Sequence, residues 1–510
     1  MLRRAGLIGF ALASSAQAQT IATSPGPSAV SVTVYRAPDR QAAEKIQLDW
    51  LRGYALISET RTIDIPAGEA DIRFEGVAGG ILPESAIVGG LPDGVAEKNQ
   101  DAYLLSPASL LDRSLGRRVR LRRTSRATGT VREEEAVVLT GADGGVVLQT
   151  AAGYEALRCT GLTEAIVYAS VPQGLSAKPT LSVRTVSRAR TRATVTLSYL
   201  ASGFDWQANY VGTLSPDGTR MDLFAWVTLA NGDETSFAEA STQAVAGRLS
   251  RKDMPGYRER GEPLRLRCFP TGSTTSDLRR LQAFDAGEEI VVTGMRVSSP
   301  QAMIMPAPPP PEPPAAMARQ EELGDLKLYR IPQPVTVAAK SQKQVALLTQ
   351  PRVSVSLVYR RRLYGNDDPV PVPASRVYVT RNRVAEGLGL PLPAGPVAIF
   401  TRRARRPILV GEGAIDDRAV GEDVEIVVAD ATGVLTQVTA AAEPNAMHER
   451  VLTATNDRPV PVAFEAEFQM NVVDTTGRAN ATLEQRDGRP LWRTTIPANG
   501  RVALRYRAID

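Results

Sequence analysis

The sequence predicts an all-β protein made of several β-sandwich, immunoglobulin-like domains, with one short helix in the N-terminal domain. Three observations predict it. Apolar and polar residues alternate with a period of two along most of the chain, 41 Gly and 36 Pro supply turns between the runs, and a 3.6-residue helical period is nearly absent. The 43% apolar and 23% charged shares are ordinary for globular proteins, so cores of normal size are expected without metals or many disulfides. A chain of 510 residues exceeds what one core usually organises, and three domains are expected after the leader: 19–180, 181–375 and 376–510.

The leader is residues 1–18. Arg3 and Arg4 give a positive start, Leu7 to Ala13 is a short apolar run, and Ala16, Gln17 and Ala18 end it with small residues two apart. This is the pattern of a cleavable secretory signal peptide, with cleavage expected after Ala18 and a periplasmic or secreted destination. No later stretch reaches the ~18 to 20 apolar residues of a spanning helix, so no membrane span is expected. A transmembrane β-barrel fits poorly, because only 5% of the chain is aromatic and such barrels carry aromatic girdles.

The elements then follow in order. Ser31 to Tyr35, Arg61 to Ile65 and Asp71 to Phe74 alternate around the turn Pro66, Ala67, Gly68. Ala108 to Leu115 reads as the short helix, with Ser106 as N-cap, Pro107 in the first helical position and Gly116 as stop. Leu181 to Thr185 and Ala193 to Tyr199 are strands; Gly203 to Trp206 interrupts before Tyr210 to Leu214. Met221 to Leu229 carries Phe224 and Trp226 on one face, which reads as core. Prolines 306, 308–311, 313 and 314 mark residues 286–323 as an extended, exposed linker. Strands resume at Leu326 to Ile331, Val335 to Val337, Val345 to Leu348, Val353 to Tyr359, Val377 to Val379 and Val397 to Thr401. The C-terminal part repeats the theme at Val424 to Val428, Val434 to Val438 and Pro461 to Phe468, and a hairpin of Trp492 to Ile496 with Val502 to Tyr506 closes the last sandwich.

Composition removes several function classes. A net charge of +5 is too weak on this length to argue for nucleic acid. Arg118, Arg120 and Arg122 alternate with Val119 and Leu121, as on a solvated strand face, and Arg402, Arg403, Arg405 and Arg406 cluster near a loop as a better anion candidate. His448 is the single histidine, so a His-rich zinc site is impossible and a structural role is expected for it. Asp367 with Asp368 and Asp416 with Asp417 sit in turn sequences without calcium-loop spacing, and Gly411, Glu412, Gly413 lacks the strand-to-helix context of a phosphate loop. No catalytic constellation, cofactor motif or metal motif is present. Cys159 and Cys268 admit either a disulfide, in an oxidising compartment, or two separate buried thiols.

Two segments are candidates for binding. Asp205 with Trp206 pairs a carboxylate with an aromatic, as in carbohydrate platforms, although core packing of Trp206 is the plainer expectation. The heptad Glu288, Glu289, Ile290, Val291, Val292, Thr293, Gly294 resembles the TonB box of outer-membrane transporters. An extended, β-prone segment of this kind adds as an edge strand to a partner's sheet, which makes a TonB-like periplasmic protein a candidate partner.

Residues 198–214 (SYLASGFDWQANYVGTL), 221–231 (MDLFAWVTLAN) and 388–400 (LGLPLPAGPVAIF), with Gly411 to Ile415 and Gly421 to Val427, resemble the bacterial domain-of-unknown-function family that includes the mucoidy-inhibitor-like proteins. The resemblance spans about Val183 to Asp510 and implies no catalytic residues, since the family's activity is uncharacterised. Members often carry an N-terminal coiled coil, whereas no heptad run occurs here before Pro179. The reading is an exported cell-envelope protein acting by binding, the alternatives being a carboxylate-based hydrolase or carbohydrate-active enzyme and a purely structural envelope component.

Overall fold

The computed structural model describes residues 20–101, 105–125, 128–141, 146–156, 164–172, 175–247, 317–323, 326–365, 368, 370–404, 406–440, 449–474 and 483–509. Strand accounts for 64% of the structure and helix for 4%, and the expected all-β class holds. Its backbone groups are spent in sheet ladders, as the period-two patterning requires. Tyr54–Ile65 and Thr191–Ser202 show the rule at its longest: they pair antiparallel from Tyr54 against Ser202 to Ile65 against Thr191. Ala55, Ile57, Ile63 and Ile65 on one side meet Val195, Leu197 and Tyr199 on the other, and all are buried.

Five sheets result. An eight-stranded sheet carries Tyr54–Ile65 and Thr191–Ser202 together with Ala29–Tyr35 and Phe237–Ala246, and a four-stranded sheet is built around Gly68–Glu75 and Thr180–Ser187. The central five-stranded sheet runs Ser341–Ser354, Arg220–Asn231, Phe204–Leu214, Gly395–Arg403, Arg406–Ile415. These three sheets share one continuous core, in which Ile57, Phe74, Leu181, Phe204, Trp206 and Leu229 are members. A nine-stranded sheet folds around a second core of Phe464, Phe468, Trp492 and Tyr506. A separate five-stranded sheet between residues 118 and 167 holds a third, small core with Leu121, Val138 and Leu148.

The sheets do not divide at residues 180 or 375. Thr180–Ser187 pairs with Gly68–Glu75, and Gly395–Arg403 lies parallel beside Phe204–Leu214. Consecutive strands pair by default, but a parallel neighbour needs a long crossover, and no local turn signal reveals which distant strand it will join.

Five elements differ from their sequence reading. The helix is Pro107–Asp112, capped by Ser106 as expected, in a reciprocal box with Ser109, but it stops short of Leu115, which is 47% exposed and bridges to Val138. Phe204–Leu214 is continuous, and only Gly203, at φ 84°, breaks the chain before it; glycine takes this left-handed turn at no steric cost. Arg319–Leu323, assigned to the linker, is a strand paired with Leu326–Arg330. Val424 to Val428 and Val434 to Val438 belong to one strand, Asp423–Ala440. Its partner Val372–Arg381 shifts register twice, so Val424 and Ile426 enter the first core while Val434 and Val438 enter the second. The last two strands form no hairpin: Arg489–Ile496 pairs with Val462–Phe468 and Gly500–Ile509 with Glu449–Asn456. The expected Pro497 to Gly500 turn is present, but it crosses from one side of the core to the other.

Two buried charge clusters lie in the eight- and nine-stranded sheets. Glu59 and Arg61 occupy core-facing positions between Ile57 and Ile63, both 0% exposed, and Arg61 Nη2 donates to Glu59 Oε2 at 2.5 Å. In the nine-stranded sheet Arg360 donates to Glu425 at 2.5 Å and to Glu465 at 2.7 Å. On the small sheet the Arg118, Arg120 and Arg122 face is exposed and meets Glu133 and Glu135 of the neighbouring strand in ion pairs at 2.7 to 3.5 Å. Their opposite charges lie across the ladder, so this face presents no basic patch.

Candidate functional site

Strand parity decides what faces solvent on the central sheet. Because Gly203 sets Phe204 inward, Phe204, Trp206, Ala208 and Tyr210 enter the core, and Gln207, Asn209 and Val211 fall on the opposite face. The neighbouring strand obeys the same rule. Leu223, Ala225 and Val227 are core, so Phe224, Trp226 and Thr228 stand on the open face. The register sets Gln207 against Thr228 and Asn209 against Trp226, and Thr228 in turn lies against Gln344.

This open face is the floor of a cleft of about 980 Å³, within the usual range for small-molecule sites. Gln207, Asn209, Trp226, Thr228, Gln342 and Gln344 line its floor. The Ala43, Lys45 and Ile46 loop and the Glu425 and Val427 positions of the nine-stranded sheet help to wall it. The polar floor is only partly satisfied. Thr228 Oγ1 donates to Asn209 Oδ1 at 2.5 Å and accepts from Gln344 Nε2 at 3.2 Å, whereas Gln207, 3% exposed, keeps Oε1 buried with no hydrogen-bond partner. An orphaned buried acceptor costs about 1 to 3 kcal/mol. Trp226 is partly exposed and braced by Phe224 in an edge-on pair with centroids 4.6 Å apart.

Two glycines let the wall approach the floor. A Cβ on Gly413 would lie 2.2 Å from the Val427 carbonyl oxygen, and one on Gly411 would lie 2.7 Å from that of Val428. Gly411 and Gly413 therefore serve the crossing of Arg406–Ile415 over Asp423–Ala440.

The charges on the cleft walls cancel. Lys45 pairs with Glu412 at 3.4 Å, Arg418 with Asp416 at 3.4 Å, Arg362 with Glu467 at 3.3 Å, and Glu425 with Arg360 at 2.5 Å and also with Arg486. Burial pushes the Glu425 carboxyl up, but hydrogen bonds and charge from Arg360, then Arg486, overcome it and hold the group at about 2. A carboxylate so placed stays ionised and donates no proton at neutral pH.

A depressed folded pKa stabilises above the unfolded value and loses that contribution as pH falls. The stability difference between the native protein and Glu425→Gln is expected to be full above pH 4.5 and to vanish towards pH 2, the two values bounding the shift. Its size is about 1 to 2 kcal/mol once partial solvent screening is counted. Denaturant titrations of both proteins from pH 7 to pH 2 check it, and a difference independent of pH contradicts the pairing.

The sequence candidates fall elsewhere. Asp205 and Trp206 are both 0% exposed, and the ligand platform considered for them is corrected to core. Asp205 pairs with Arg40 and accepts from the Ala37 and Trp206 amides at 3.1 and 2.8 Å. Burial pushes its carboxyl up against those partners. Trp206 Nε1 donates to the Val245 carbonyl at 2.9 Å. Trp206 is core, as the plainer expectation had it, whereas Phe224 and Trp226, expected as core, face the cleft side. Asp417 pairs with Arg36 and accepts from the Ala394 amide at 2.8 Å, so it holds a turn. Asp368 pairs with Arg361 at 3.1 Å. Arg402, Arg403 and Arg406 are exposed at a hairpin tip.

Glu288 to Gly294, Cys159, Cys268, His448, Asp367 and Arg405 lie outside the described residues, as does the leader. Among the described residues no group of three His, Cys, Asp or Glu side chains gathers as a metal site, and no helix is long and apolar enough to cross a membrane. The amide floor was missed because Gln207 and Asn209 look like interruptions of an apolar strand. Their spacing of two was the available signal.

Compared with known proteins, the chain matches no family model and no curated protein.

Proposed function

We propose that this chain is an exported protein of the bacterial cell envelope that acts by binding a ligand in the cleft on its central sheet, without catalysing a reaction on it. The observation that carries the reading is the Gln207 amide oxygen, buried and unpartnered at the floor of a cleft whose charged groups are already paired. A ligand that supplies the missing donor satisfies a polar group left in that state. The hydrolase alternative draws no support from this cleft, because its wall carboxylates are engaged by cations and Glu425 is held at about 2. Export rests on the leader pattern of residues 1–18.

Membership in the domain-of-unknown-function family that includes the mucoidy-inhibitor-like proteins is proposed with it. The segments that carry the resemblance, residues 198–214, 221–231 and 388–400, contribute three adjacent strands of the central sheet. They build the floor of the cleft together with Ser341–Ser354.

A photo-crosslinking residue at Gln342, on the exposed part of the floor, tests the reading in living cells. Adducts with an envelope component are expected there, and none are expected from the same residue at Tyr154, 77% exposed on the small sheet. Equal labelling at both positions, or none at either, overturns it.

A further inference from the structure

We infer that the ligand of this cleft is a neutral carbohydrate, a short oligosaccharide lying with the apolar face of a sugar ring on Trp226 and its hydroxyls on Gln207, Asn209 and Gln344. The inference rests on the binding function proposed above and names its ligand class.

Four observations select this chemistry. The floor offers amides and one hydroxyl, groups that both donate and accept, as sugar hydroxyls do. The one aromatic in the lining besides Tyr210 is Trp226, partly exposed, and Phe224 packs edge-on against it, so its orientation is fixed before a ligand arrives. Pre-ordering of this kind lowers the entropy lost on binding. The three cations and three carboxylates of the walls cancel by the pairings given above, which leaves no excess charge to hold an anion or a cation.

The fourth observation separates sugars from peptides. An extended peptide gains affinity by adding main-chain hydrogen bonds at a free strand edge. The centre of the floor is the face of Arg220–Asn231, which is paired on both sides, next to Phe204–Leu214, which is paired on both sides from Tyr210 to Leu214. Around Trp226 and Thr228 the main-chain groups are consumed in the ladder, so side chains meet the ligand there, and side-chain amides beside a ring are what a sugar requires.

The unpartnered Gln207 oxygen supplies a signature that a structural residue lacks. Gln207→Leu keeps the volume of the side chain and removes the orphaned acceptor, so the protein is expected to melt at a higher temperature while binding falls at least tenfold. A Gln that merely supports the fold would melt lower when replaced.

The test is direct titration of the full chain against trimers of neutral glucose, mannose and N-acetylglucosamine in α and β linkages, and against a library of uncharged peptides. Binding of at least one neutral trimer is expected, weakened tenfold or more by Trp226→Ala and by Gln207→Leu, with circular dichroism unchanged in both variants. If only peptides bind and the two substitutions abolish that binding, the carbohydrate assignment is overturned while the binding function stands. If Gln342 crosslinks an envelope component but neither panel binds, the carbohydrate assignment falls alone. If no ligand binds and Gln342 yields no adduct, both fall.

Discussion

Arg61→Leu is expected to lower the stability of the N-terminal sheets by about 3 to 5 kcal/mol, because it leaves a carboxylate buried without its cation. Arg61 is held on all sides. Its guanidinium donates to Glu59 Oε2 at 2.9 and 2.5 Å, to the Pro25 carbonyl at 3.2 Å and to the Glu75 carbonyl at 3.0 Å. It thereby ties Tyr54–Ile65 to the chain on both neighbouring segments, and it lies 5.8 Å from the Phe74 ring centroid. Glu59 also accepts from Tyr199 Oη at 2.8 Å, and Tyr199 in turn accepts from the Ala78 amide at 3.1 Å. Burial pushes the Tyr199 hydroxyl well up, aided by the Glu59 charge, so it remains a donor at any physiological pH.

The loss from Arg61→Leu is a penalty of stranding Glu59, and so it should be reversible by a second change. Glu59→Gln with Arg61→Met keeps an acceptor for Tyr199 and removes both charges, and it is expected to recover most of the lost stability. Urea denaturation followed by circular dichroism measures each variant. A single variant within 1 kcal/mol of the native protein, or a double variant no better than the single, contradicts this account.

The position of that pair shows where a linear reading stops. Alternation placed Ile63 and Ile65 in a strand whose inward side is correct, because side-chain direction in a strand is fixed by parity alone. The same parity put Glu59 and Arg61 inside, and a charge at an inward position reads from sequence as an error in the pattern. Only pairing across distant segments makes it tolerable. The cleft was hidden for a related reason. Gln207 and Asn209 are legible as one face of a strand, but their meeting with Thr228, Gln344 and the Glu425 wall depends on a parallel neighbour and a second sheet. The N-cap at Ser106, by contrast, is a matter of consecutive residues, and it was visible in the sequence.

Trp206→Ala is expected to cost about 3 to 5 kcal/mol, while Trp226→Ala, on the same sheet, leaves the fold nearly unperturbed. The difference is one of face. Trp206 is among the largest fully buried side chains and packs against Tyr329 with centroids 5.6 Å apart. Truncating it leaves a cavity between the central and eight-stranded sheets, and such large-to-small changes of an aromatic cost this much when the surroundings cannot collapse. They are poorly placed to collapse here. Gly395 lies so close that a Cβ on it would sit 1.9 Å from the Ala208 carbonyl oxygen, so the strands beside Trp206 are already at their limit of approach. Truncation also removes the hydrogen bond from the indole N–H to the Val245 carbonyl, adding about 1 kcal/mol. Trp226 has solvent on part of its surface, and its loss removes only the Phe224 contact and some cleft area. Thermal denaturation of both variants beside the native protein reads the contrast. A Trp206→Ala protein of native stability, or a Trp226→Ala protein that unfolds as readily as Trp206→Ala, reverses the assignment of the two faces, and with it the location of the cleft.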